Sequence, residues 1–509
     1  MNVSILNKLV LVIPIAAFLL SSQSKAAEIK KSKPNIIFFL VDDMGWQETS
    51  VPFWNEKTTL NNRYFTPNME SLAEKGMKFT QAYACPLCSP TRVSLMTGQN
   101  AARHQVTNWT LRKNKSPDNQ HQILEIPDWN MNGLSPVQGI EKTVISKTLP
   151  MFLKETGYTT IHVGKAHWGA QGTPGQDPLN LGFDVNIAGH APGGPGSHYG
   201  KYNFSAEWRH EDRIWDVPGL EKYHGQDIYL TEALTIEAND QIEKAVTTGK
   251  PFYLYMSHYA IHAPWEKDDR FFKKYKDKGL TDFEATLASM IEGMDKSLGD
   301  IISKLQQLGI EKNTIIIFLS DNGSPSQCPR NLPLRGHKIT PYEGGIRVPM
   351  LVKWPGVTNE GSVCNEPLII EDFFPAILEM AGIKKYSQIV KNSDGKSFVP
   401  LLRGEKVNSA NREFFWHFPH FYDQEPYSVV RKGGWKLIYW YKEGKSELYN
   451  LSEDISEANN LATENPEKTR EMAEILGKYL REVNAGRPGF KETGKPCLWP
   501  DESFQMQNR

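Results

Sequence analysis

Two short clusters of oxygen-donor side chains stand out in this sequence. Asp42 and Asp43 follow one apolar run, and Asp321 and Asn322 follow another. Carboxylates and an amide carbonyl suit a hard cation such as Ca²⁺ or, less well, Mg²⁺, whereas zinc prefers His or Cys. An Asp-Asp pair by itself is more often a turn or a helix cap. Because the second cluster also directly follows an apolar run, the two clusters together favour a cation site formed by all four residues.

A third chemically distinctive segment is the run Cys88-Ser89-Pro90-Thr91-Arg92. Proline is favoured in the first turn of a helix, so residue 88 is expected at the positive N-terminal end, where an anion is stabilised. Arg92 lies one turn further along and carries a fixed fork of donors, with which it is expected to hold residue 88. The run therefore predicts an anion site beside a cysteine.

The cysteines allow a different interpretation. They occur at positions 85, 88, 328, 364 and 497, an odd number that leaves at least one thiol unpaired in an exported protein. Cys85 and Cys88 also form a CxxC pair, which is compatible with a disulfide or a redox centre. A thioredoxin-like motif would lie in a much smaller βαβ chain, so a redox centre is disfavoured here. The residues around Cys88 decide between an anion site and a CxxC pair.

The elements that position these residues alternate along the chain. Apolar strands are predicted at 35–41, 158–163, 251–256 and 314–319, and helices at 66–75, 148–155, 230–248 and 283–308. Such alternation implies βαβ units and a mainly parallel sheet flanked by helices. Ligands bind beyond the carboxyl ends of parallel strands. Four segments reach that edge with polar residues, so one composite site is predicted there.

The C-terminal part of the chain has a different pattern of predicted elements. Short strands are predicted at 428–431, 435–441 and 447–450, with a turn at Gly433-Gly434 and a closing helix over 466–483. This pattern is typical of an antiparallel meander packed by one helix. We therefore expect an α/β protein with a large catalytic domain over residues 34–405 and a smaller α+β subdomain with an antiparallel sheet over 406–509.

The N-terminus predicts export. Lys8 is followed by the apolar stretch 9–20 and by small residues ending at Ala27, which is the pattern of a secretory signal peptide over residues 1–27. The stretch is short for a bilayer span, so stable membrane insertion is not expected, although an uncleaved anchor is the alternative. The formal net charge of -1 argues against binding nucleic acid through the overall field.

The run beginning at Cys88 resembles the signature of the type I sulfatases of the alkaline phosphatase superfamily. Further motifs resemble that family in the same order, and no motif position departs from its pattern. They are Asp42-Asp43, Gly164-Lys165-x-His167, His262-x-Pro264, Asp321-Asn322-Gly323, 334–338 with Lys338, 343–349, 372–375 and Asp394-Gly395-x-Ser397. The resemblance spans essentially the whole mature chain and implies an alkaline phosphatase-like fold.

The resemblance also implies a mechanism. A maturation enzyme would oxidise Cys88 to Cα-formylglycine, whose hydrated form would attack sulfur from a Ca²⁺ site that includes residue 88, giving a covalent sulfo-enzyme. His262 would protonate the leaving sugar oxygen and His167 would accept a proton during sulfate release. Lys165, Lys338 and Arg92 would neutralise charge, with Lys165, His262 and Lys338 binding substrate. His258 competes for the acid role, but only His262 fits the His-x-Pro pattern.

The substrate implied by the resemblance is a sulfated carbohydrate, with galactose or N-acetylgalactosamine sulfates favoured. Loop tryptophans suit sugar stacking, and the insertions 108–136 and 190–202 are placed to select a substrate. These tryptophans are Trp109, Trp129, Trp208 and Trp265. Two alternatives stay open at this point: a phosphatase or phosphodiesterase of the same superfamily, and a silent glycan-binding protein in which Cys88 is never oxidised.

Overall fold

A computed structural model describes residues 1, 33–327, 330–383, 388 and 393–507. The predicted signal peptide lies outside these residues apart from Met1, and so does Cys328. Residues from Lys33 onwards form one compact unit. Within the described residues, no helix is both long enough and apolar enough to cross a membrane.

The strands are, in chain order, β1 (Asn35–Val41), β2 (Met77–Tyr83), β3 (Leu124–Glu125), β4 (Leu134–Ser135), β5 (Val144–Ile145), β6 (Thr159–Gly164), β7 (Val185–Ile187), β8 (Phe252–Ser257), β9 (Thr314–Ser320), β10 (Arg347–Lys353), β11 (Ser362–Cys364), β12 (Leu368–Ile369), β13 (Glu413–Phe418), β14 (Tyr427–Lys432), β15 (Trp435–Trp440), β16 (Lys445–Asn450) and β17 (Gly489–Phe490).

The α-helices are α1 (Thr59–Arg63), α2 (Pro67–Glu74), α3 (Cys88–Thr97), α4 (Ala101–His104), α5 (Leu149–Glu155), α6 (Leu230–Thr247), α7 (Asp269–Asp277), α8 (Asp282–Gln307), α9 (Glu343–Ile346), α10 (Phe373–Met380), α11 (Val399–Leu402), α12 (Pro466–Glu482) and α13 (Pro500–Gln507). Short 3₁₀ turns lie mainly between β6 and α6.

The main sheet has the strand order β11-β2-β10-β9-β1-β8-β6-β7, with β12 also pairing with β2. Strands β9, β1, β8, β6 and β7 run parallel, and β10 is antiparallel to both β9 and β2. The predicted α/β class with a large, mainly parallel but mixed sheet is therefore confirmed.

The central strands form because their sequences are apolar on both faces. All seven residues of β1 are buried, with Ile36, Phe38 and Leu40 in one core and Ile37 and Phe39 in the other. Helices cover each face, so neither side of the sheet meets water, as parallel sheets require. The continuous apolar runs identified in the sequence are a direct consequence of this burial.

The C-terminal sheet has the order β13-β14-β15-β16 and is antiparallel throughout, with α12 packed against it. The predicted meander and closing helix are present, and β13 adds a strand that the sequence had not separated from the preceding segment. The proposed boundary at residues 405 and 406 falls in the irregular segment between α11 and β13.

One buried ion network joins this small sheet to the main domain. The Nζ atom of Lys436 on β15 lies 3.0 Å from the Glu343 carboxylate on α9 and 2.8 Å from Glu457. All three side chains are fully buried, and Tyr83 donates a 2.6 Å hydrogen bond to Glu343. Lys436 therefore pairs with two carboxylates at the junction of the two sheets, and Arg347, 3.3 Å from Glu343, supplies a second cation.

Lys436→Met tests this junction. Removing the cation leaves Glu343 and Glu457 buried together, so we expect a loss of about 3–5 kcal/mol in the free energy of unfolding. The measurement is the midpoint of urea-induced unfolding. Lys432→Met removes a partly exposed pair with Glu413 and is the control, with an expected change below about 1 kcal/mol. Equal effects of the two variants would contradict the assignment.

Candidate active site

Four neighbouring strands deliver the predicted site residues to one edge of the sheet. Val41 of β1 pairs with Ser320 of β9, so Asp42 and Asp321 emerge side by side. Strand β8 lies on the other side of β1 and β6 lies beyond β8. Their ends lead to His262 and to Lys165, respectively. The separated sequence clusters therefore meet because their strands are adjacent and end at the same level.

The acidic cluster is compact and sequestered from solvent. Potential ligand atoms of Asp42, Asp43, Asp321 and Cys88 all lie within 4.8 Å of one another. The Cys88 Sγ atom is 3.5 Å from Asp42 Oδ1. Asn322 donates from Nδ2 to Asp43 Oδ1 at 2.7 Å, while its buried Oδ1 atom has no hydrogen-bond partner among the described residues. An orphaned amide oxygen beside three carboxylates fits a cation site.

Burial makes this cluster electrostatically costly. Burial raises the pKa of Asp42 and that of Asp321, and the nearby Asp42 carboxylate raises the pKa of Asp321 further. Burial opposes ionisation of Asp43 too, but Lys338, His262 and Lys165 outweigh it and hold that pKa below its ordinary value. Positive charge is therefore needed for all three groups to be ionised together.

Three basic side chains of the protein supply part of that charge. Lys165 Nζ lies 2.5 Å from Asp42 Oδ2, and Lys338 Nζ lies 2.6 Å from Asp43 Oδ1. Arg92 donates from Nε and Nη2 to Asp321 Oδ2, at 3.0 and 2.8 Å. Each carboxylate thus faces one basic side chain, and a divalent cation would add the charge that three buried acids and an anionic substrate require.

Arg92 differs from its predicted role. Its remaining donor, Nη1, binds Ser257 Oγ at 2.7 Å and the Lys165 carbonyl at 3.0 Å. The described contacts of the guanidinium are therefore with Asp321, β8 and the end of β6, and its hydrogen bonds do not reach residue 88. Arg92 positions the acidic cluster, and the fork of donors that the sequence assigned to residue 88 is used for that purpose.

Helix α3 carries residue 88 as its first residue, and all ten of its residues are buried. The N-cap residue Leu87 offers no side-chain hydrogen bond, so the positive helix end remains available for an anion. Thr91 donates to the Asp321 carbonyl at 2.7 Å and accepts from the Cys85 amide at 3.0 Å. The threonine of the motif therefore joins this helix to the end of β9, where Asp321 lies.

The CxxC alternative does not hold in this structure. Cys85 and Cys88 are both free thiols, and Cys85 points away to contact Ser94. Burial, and then the nearby Asp321, raise the pKa of Cys88 above its ordinary value. A redox or nucleophilic cysteine requires a lowered pKa, so the unmodified thiol is poorly suited to attack a substrate.

Two histidines are oriented by backbone carbonyls. His262 Nδ1 donates to the Ala263 carbonyl at 2.7 Å, which leaves Nε2 free, 3.9 Å from Asp43. His167 Nε2 donates to the Thr110 carbonyl at 2.9 Å, and its buried Nδ1 has no partner in the described part of the chain. Burial and Lys338 lower the pKa of His262 to about 3, and burial lowers that of His167.

The insertion over residues 190–202 packs directly on the rings of His167 and His262. A Cβ atom at Gly193 would lie 2.4 Å from the His167 ring, and one at Gly194 would lie 2.9 Å from His262. Any side chain at Gly193 would displace the histidine. The insertion therefore fixes the positions of both histidine rings. His258, the competing histidine, is buried and bonded to Ser297 Oγ at 2.9 Å.

The site opens into a cavity of about 560 Å³. Its floor includes five of the predicted site residues, and its walls are largely aromatic. The lining residues are Asp43, Leu87, Cys88, Trp109, His167, Gly193, Trp215, His262, Ala263, Trp265, Pro325, Ser326, Gln327, His337, Lys338, Ile339, Tyr422 and Asp423. Lys165 and Arg92 lie behind the floor. A larger cavity of about 880 Å³ near Cys364 is lined by none of the predicted site residues.

Several lining residues were not identified from the sequence. Trp215, Tyr422 and Asp423 line the cavity, whereas two tryptophans singled out in the sequence do not. Trp129 packs against His420, with ring centroids 5.0 Å apart, and Trp208 stacks on Tyr202. The missed residues come from segments without a motif, so only the tertiary fold could have shown them.

A buried ion pair supports the turn that follows the two aspartates. Glu48 accepts hydrogen bonds from Arg330, at 2.5 and 3.0 Å, and from the Gly45 amide at 2.9 Å. Glu48 and Arg330 are fully buried. The pair ties the turn after Asp43 to the loop that leads to Lys338, and it was also missed in the sequence because it joins residues far apart in the chain.

Comparisons with known proteins identify the family. The family model described as Sulfatase matches residues 34–383, and the one described as N-sulphoglucosamine sulphohydrolase, C-terminal, matches 337–485. A Sulfatase of Formosa agariphila is 32% identical over 521 residues, covering 92% of this chain and 91% of the relative. The N-acetylgalactosamine-6-sulfatase of Mus musculus is 31% identical, covering 84% and 76%.

Solved structures of similar fold include sulfatases. The crystal structure of Ps i-CgsB in complex with k-i-k-neocarrahexaose aligns with a TM-score of 0.70 and 25% identity, covering 88% of this chain and 93% of that one. The PsFucS1 sulfatase from Pseudoalteromonas sp. shares the fold, with a TM-score of 0.66 and 20% identity over 89% and 91% of the two chains. The chain therefore belongs to the type I sulfatase family of the alkaline phosphatase superfamily, and it is a sulfuric ester hydrolase.

Proposed function

We propose that this sulfatase removes sulfate from a galactose or N-acetylgalactosamine unit of a sulfated glycan, with a nucleophile made from Cys88. The observation that carries the proposal is the position of residue 88. It is the first residue of a buried helix, its side chain belongs to the acidic cluster, and it faces a cavity of about 560 Å³. A reactive group there meets both a cation site and an anion-binding helix end.

The proposed cation is calcium. Asp42, Asp43, Asp321 and Asn322 would hold it, and the unpartnered Asn322 Oδ1 gives the site a neutral oxygen. Four protein ligands favour Ca²⁺ over Mg²⁺, which usually retains several waters and binds one or two carboxylates. When bound, the cation acts as a Lewis acid towards oxygen atoms in the site.

The proposed modification converts the Cys88 side chain to an aldehyde, and a separate maturation enzyme would carry out that oxidation. The raised pKa of the thiol supports this proposal, because the cysteine itself is a weak nucleophile at neutral pH. Hydration of the aldehyde would supply two hydroxyl groups, one to attack sulfur and one to allow sulfate to leave.

The two histidines have complementary proposed roles. Nε2 of His262 is the ring atom available to protonate the departing sugar oxygen, because Nδ1 is bonded to Ala263. A sulfate anion bound beside the ring favours its protonated form. Nδ1 of His167 carries the free lone pair and is suited to accept a proton from residue 88. This division agrees with the roles expected of a general acid and a general base.

The three basic residues also have different proposed roles. Lys338 lines the cavity and is placed to bind the sulfate oxygens. Lys165 and Arg92 lie behind it and pair with Asp42 and Asp321. We therefore assign substrate binding to His262 and Lys338, with Lys165 acting on charge at the cation site.

The sugar is inferred from the cavity and the relatives. Trp109, Trp265 and Tyr422 provide aromatic surfaces on which a pyranose ring can stack. Relatives named as N-acetylgalactosamine-6-sulfatases, and a solved neighbour in complex with k-i-k-neocarrahexaose, support a sulfated galactose-type sugar. The residue pattern at 1–27 supports export to the periplasm or the medium, where such glycans are encountered.

Comparing sulfate and phosphate esters tests the reaction class. The protein, produced together with a formylglycine-generating enzyme, is expected to hydrolyse 4-methylumbelliferyl sulfate and to prefer it over the matched phosphate. Galactose and N-acetylgalactosamine carrying a sulfate at O4 or O6 test the sugar. Preference for phosphate would overturn the reaction, and failure on all four sugars would overturn the substrate class.

Calcium should stabilise the folded enzyme. A ligand that binds only the native state contributes about 2.7 kcal/mol at a concentration 100 times its Kd, so adding Ca²⁺ to chelator-treated protein is expected to raise Tm. Asp42→Asn should lose this response. Asp295→Asn is the control, since that buried carboxylate caps α2 through Asn68 and Met69. An unchanged response in Asp42→Asn would contradict the assigned ligands.

Cys88→Ala and His262→Ala test the assigned roles. We expect Cys88→Ala to abolish desulfation, because no nucleophile remains. Loss of a general acid should lower kcat by about 100- to 10,000-fold in His262→Ala. Initial rates and circular dichroism measure activity and folding. Cys364→Ala, at a free thiol away from the site, and His224→Ala, at an exposed ring, should retain normal rates. Full activity in either site variant would show that its role is wrong.

A further inference from the structure

The wall of the active-site cavity carries one carboxylate that the proposed reaction does not use. Asp423 lines the cavity together with Tyr422 and Trp109. Its side chain is exposed, and it makes no hydrogen bond or ion pair with any residue that the structure describes. The other carboxylate of the cavity lining, Asp43, is bonded to Asn322 and Lys338. Asp423 is therefore available to a ligand.

The loop around Asp423 is held firmly by its neighbours. The Phe421 carbonyl accepts a 2.9 Å hydrogen bond from Asn119, and the Phe421 ring packs edge-on against His121 at 4.6 Å. Glu425 lies 3.1 Å from His121 and 2.7 Å from Lys442. Residues on both sides of Asp423 are thus fixed to other segments. The free carboxylate is presented on a supported loop, with its backbone in the left-handed region at φ +51°.

The negative charge of Asp423 is unexpected in a cavity that is proposed to bind sulfate. At the floor of the cavity, Lys338, Lys165 and Arg92 each pair with a buried carboxylate, and the proposed cation would add the net positive charge that attracts sulfate. A carboxylate on the wall repels any second anionic group that enters. It is a strong acceptor for neutral hydroxyl groups, because hydrogen bonds to an ionised oxygen are shorter and stronger than neutral ones.

We propose that Asp423 accepts hydrogen bonds from free hydroxyl groups of the sugar ring and makes the enzyme selective for a ring that carries a single sulfate. The aromatic walls hold the ring, Lys338 and His262 take the sulfate ester, and Asp423 binds hydroxyls on another edge of the same ring. This inference rests on the proposed function, since it requires a sugar substrate.

Asp423→Ala and Asp423→Asn separate hydroxyl binding from charge repulsion. The substrates are 4-methylumbelliferyl sulfate, the faster of the 4- and 6-monosulfates of N-acetylgalactosamine, and its 4,6-disulfate. For Asp423→Ala we expect kcat/KM on the monosulfate to fall about 10- to 100-fold. The aryl sulfate has no sugar hydroxyl for Asp423 to bind. Its kcat/KM in Asp423→Ala should therefore stay within about twofold of the wild-type value.

Asp423→Asn keeps an acceptor oxygen but removes the charge. It is expected to raise the ratio of disulfate to monosulfate kcat/KM about tenfold or more, because the repulsion is lost. Glu443→Gln removes an exposed charge outside the cavity lining and should leave this ratio unchanged. Circular dichroism and Tm confirm that each variant is folded.

The outcomes distinguish this inference from the proposed function. Wild-type protein that hydrolyses the aryl sulfate but neither monosulfated sugar would overturn the sugar substrate and, with it, the role of Asp423. Wild-type activity on sugars with unchanged monosulfate kinetics in Asp423→Ala would overturn only the hydroxyl contact. An unchanged disulfate ratio in Asp423→Asn, or an equal rise in Glu443→Gln, would overturn the selectivity. Parallel losses on sugar and aryl sulfate would assign Asp423 to folding of the site.

Discussion

The constraint on which this structure depends is the burial of three carboxylates within a few ångströms of one another. Asp42, Asp43 and Asp321 lie in a cluster whose ligand atoms are within 4.8 Å, where their mutual repulsion is little screened by water. The fold compensates with one basic side chain for each acid and with an amide oxygen left free for a cation. The arrangement is stable as a charged site only if positive charge is supplied from several strands at once.

That requirement explains the positions of the neighbouring elements. Strands β1 and β9 must be adjacent and in register to bring two acidic clusters together. Helix α3 must start at the same place, and Thr91 and Arg92 connect it to Asp321 by hydrogen bonds. Helix α3 therefore has two tasks, since it presents residue 88 to the cavity and also stabilises the carboxylate beneath it. The residue that faces the cavity and the residues that hold Asp321 therefore belong to the same helix.

Much of the fold could be predicted because the pattern of apolar residues is unambiguous. β1 and β9 are apolar on both faces and end in polar pairs, so their burial and the site edge followed directly. Helix α8, predicted at 283–308, spans Asp282–Gln307. The antiparallel strand β10 was not distinguished, because it contains Pro349, which argues against a central strand and lies at an irregularity of the ladder. The first strand of the small sheet, β13, has a mixed burial pattern, and such strands depend on their neighbours for stability.

The site was less predictable where tertiary contacts decide. The sequence assigned the Arg92 donors to residue 88, but in the fold Asp321 and β8 take them. Tyr422 and Asp423 reach the cavity from the C-terminal part of the chain, and nothing in their local sequence indicates this. The residues at the floor belong to motifs that can be recognised, whereas Trp215, Tyr422 and Asp423 of the walls come from segments without a motif.

The central claim is that residue 88 functions in a modified form within this charged cluster. Peptide mass spectrometry across residue 88, on protein purified from its native host, tests it most directly. The account predicts the mass of formylglycine or of its hydrate in place of cysteine at that position. An unmodified thiol in active protein would contradict it.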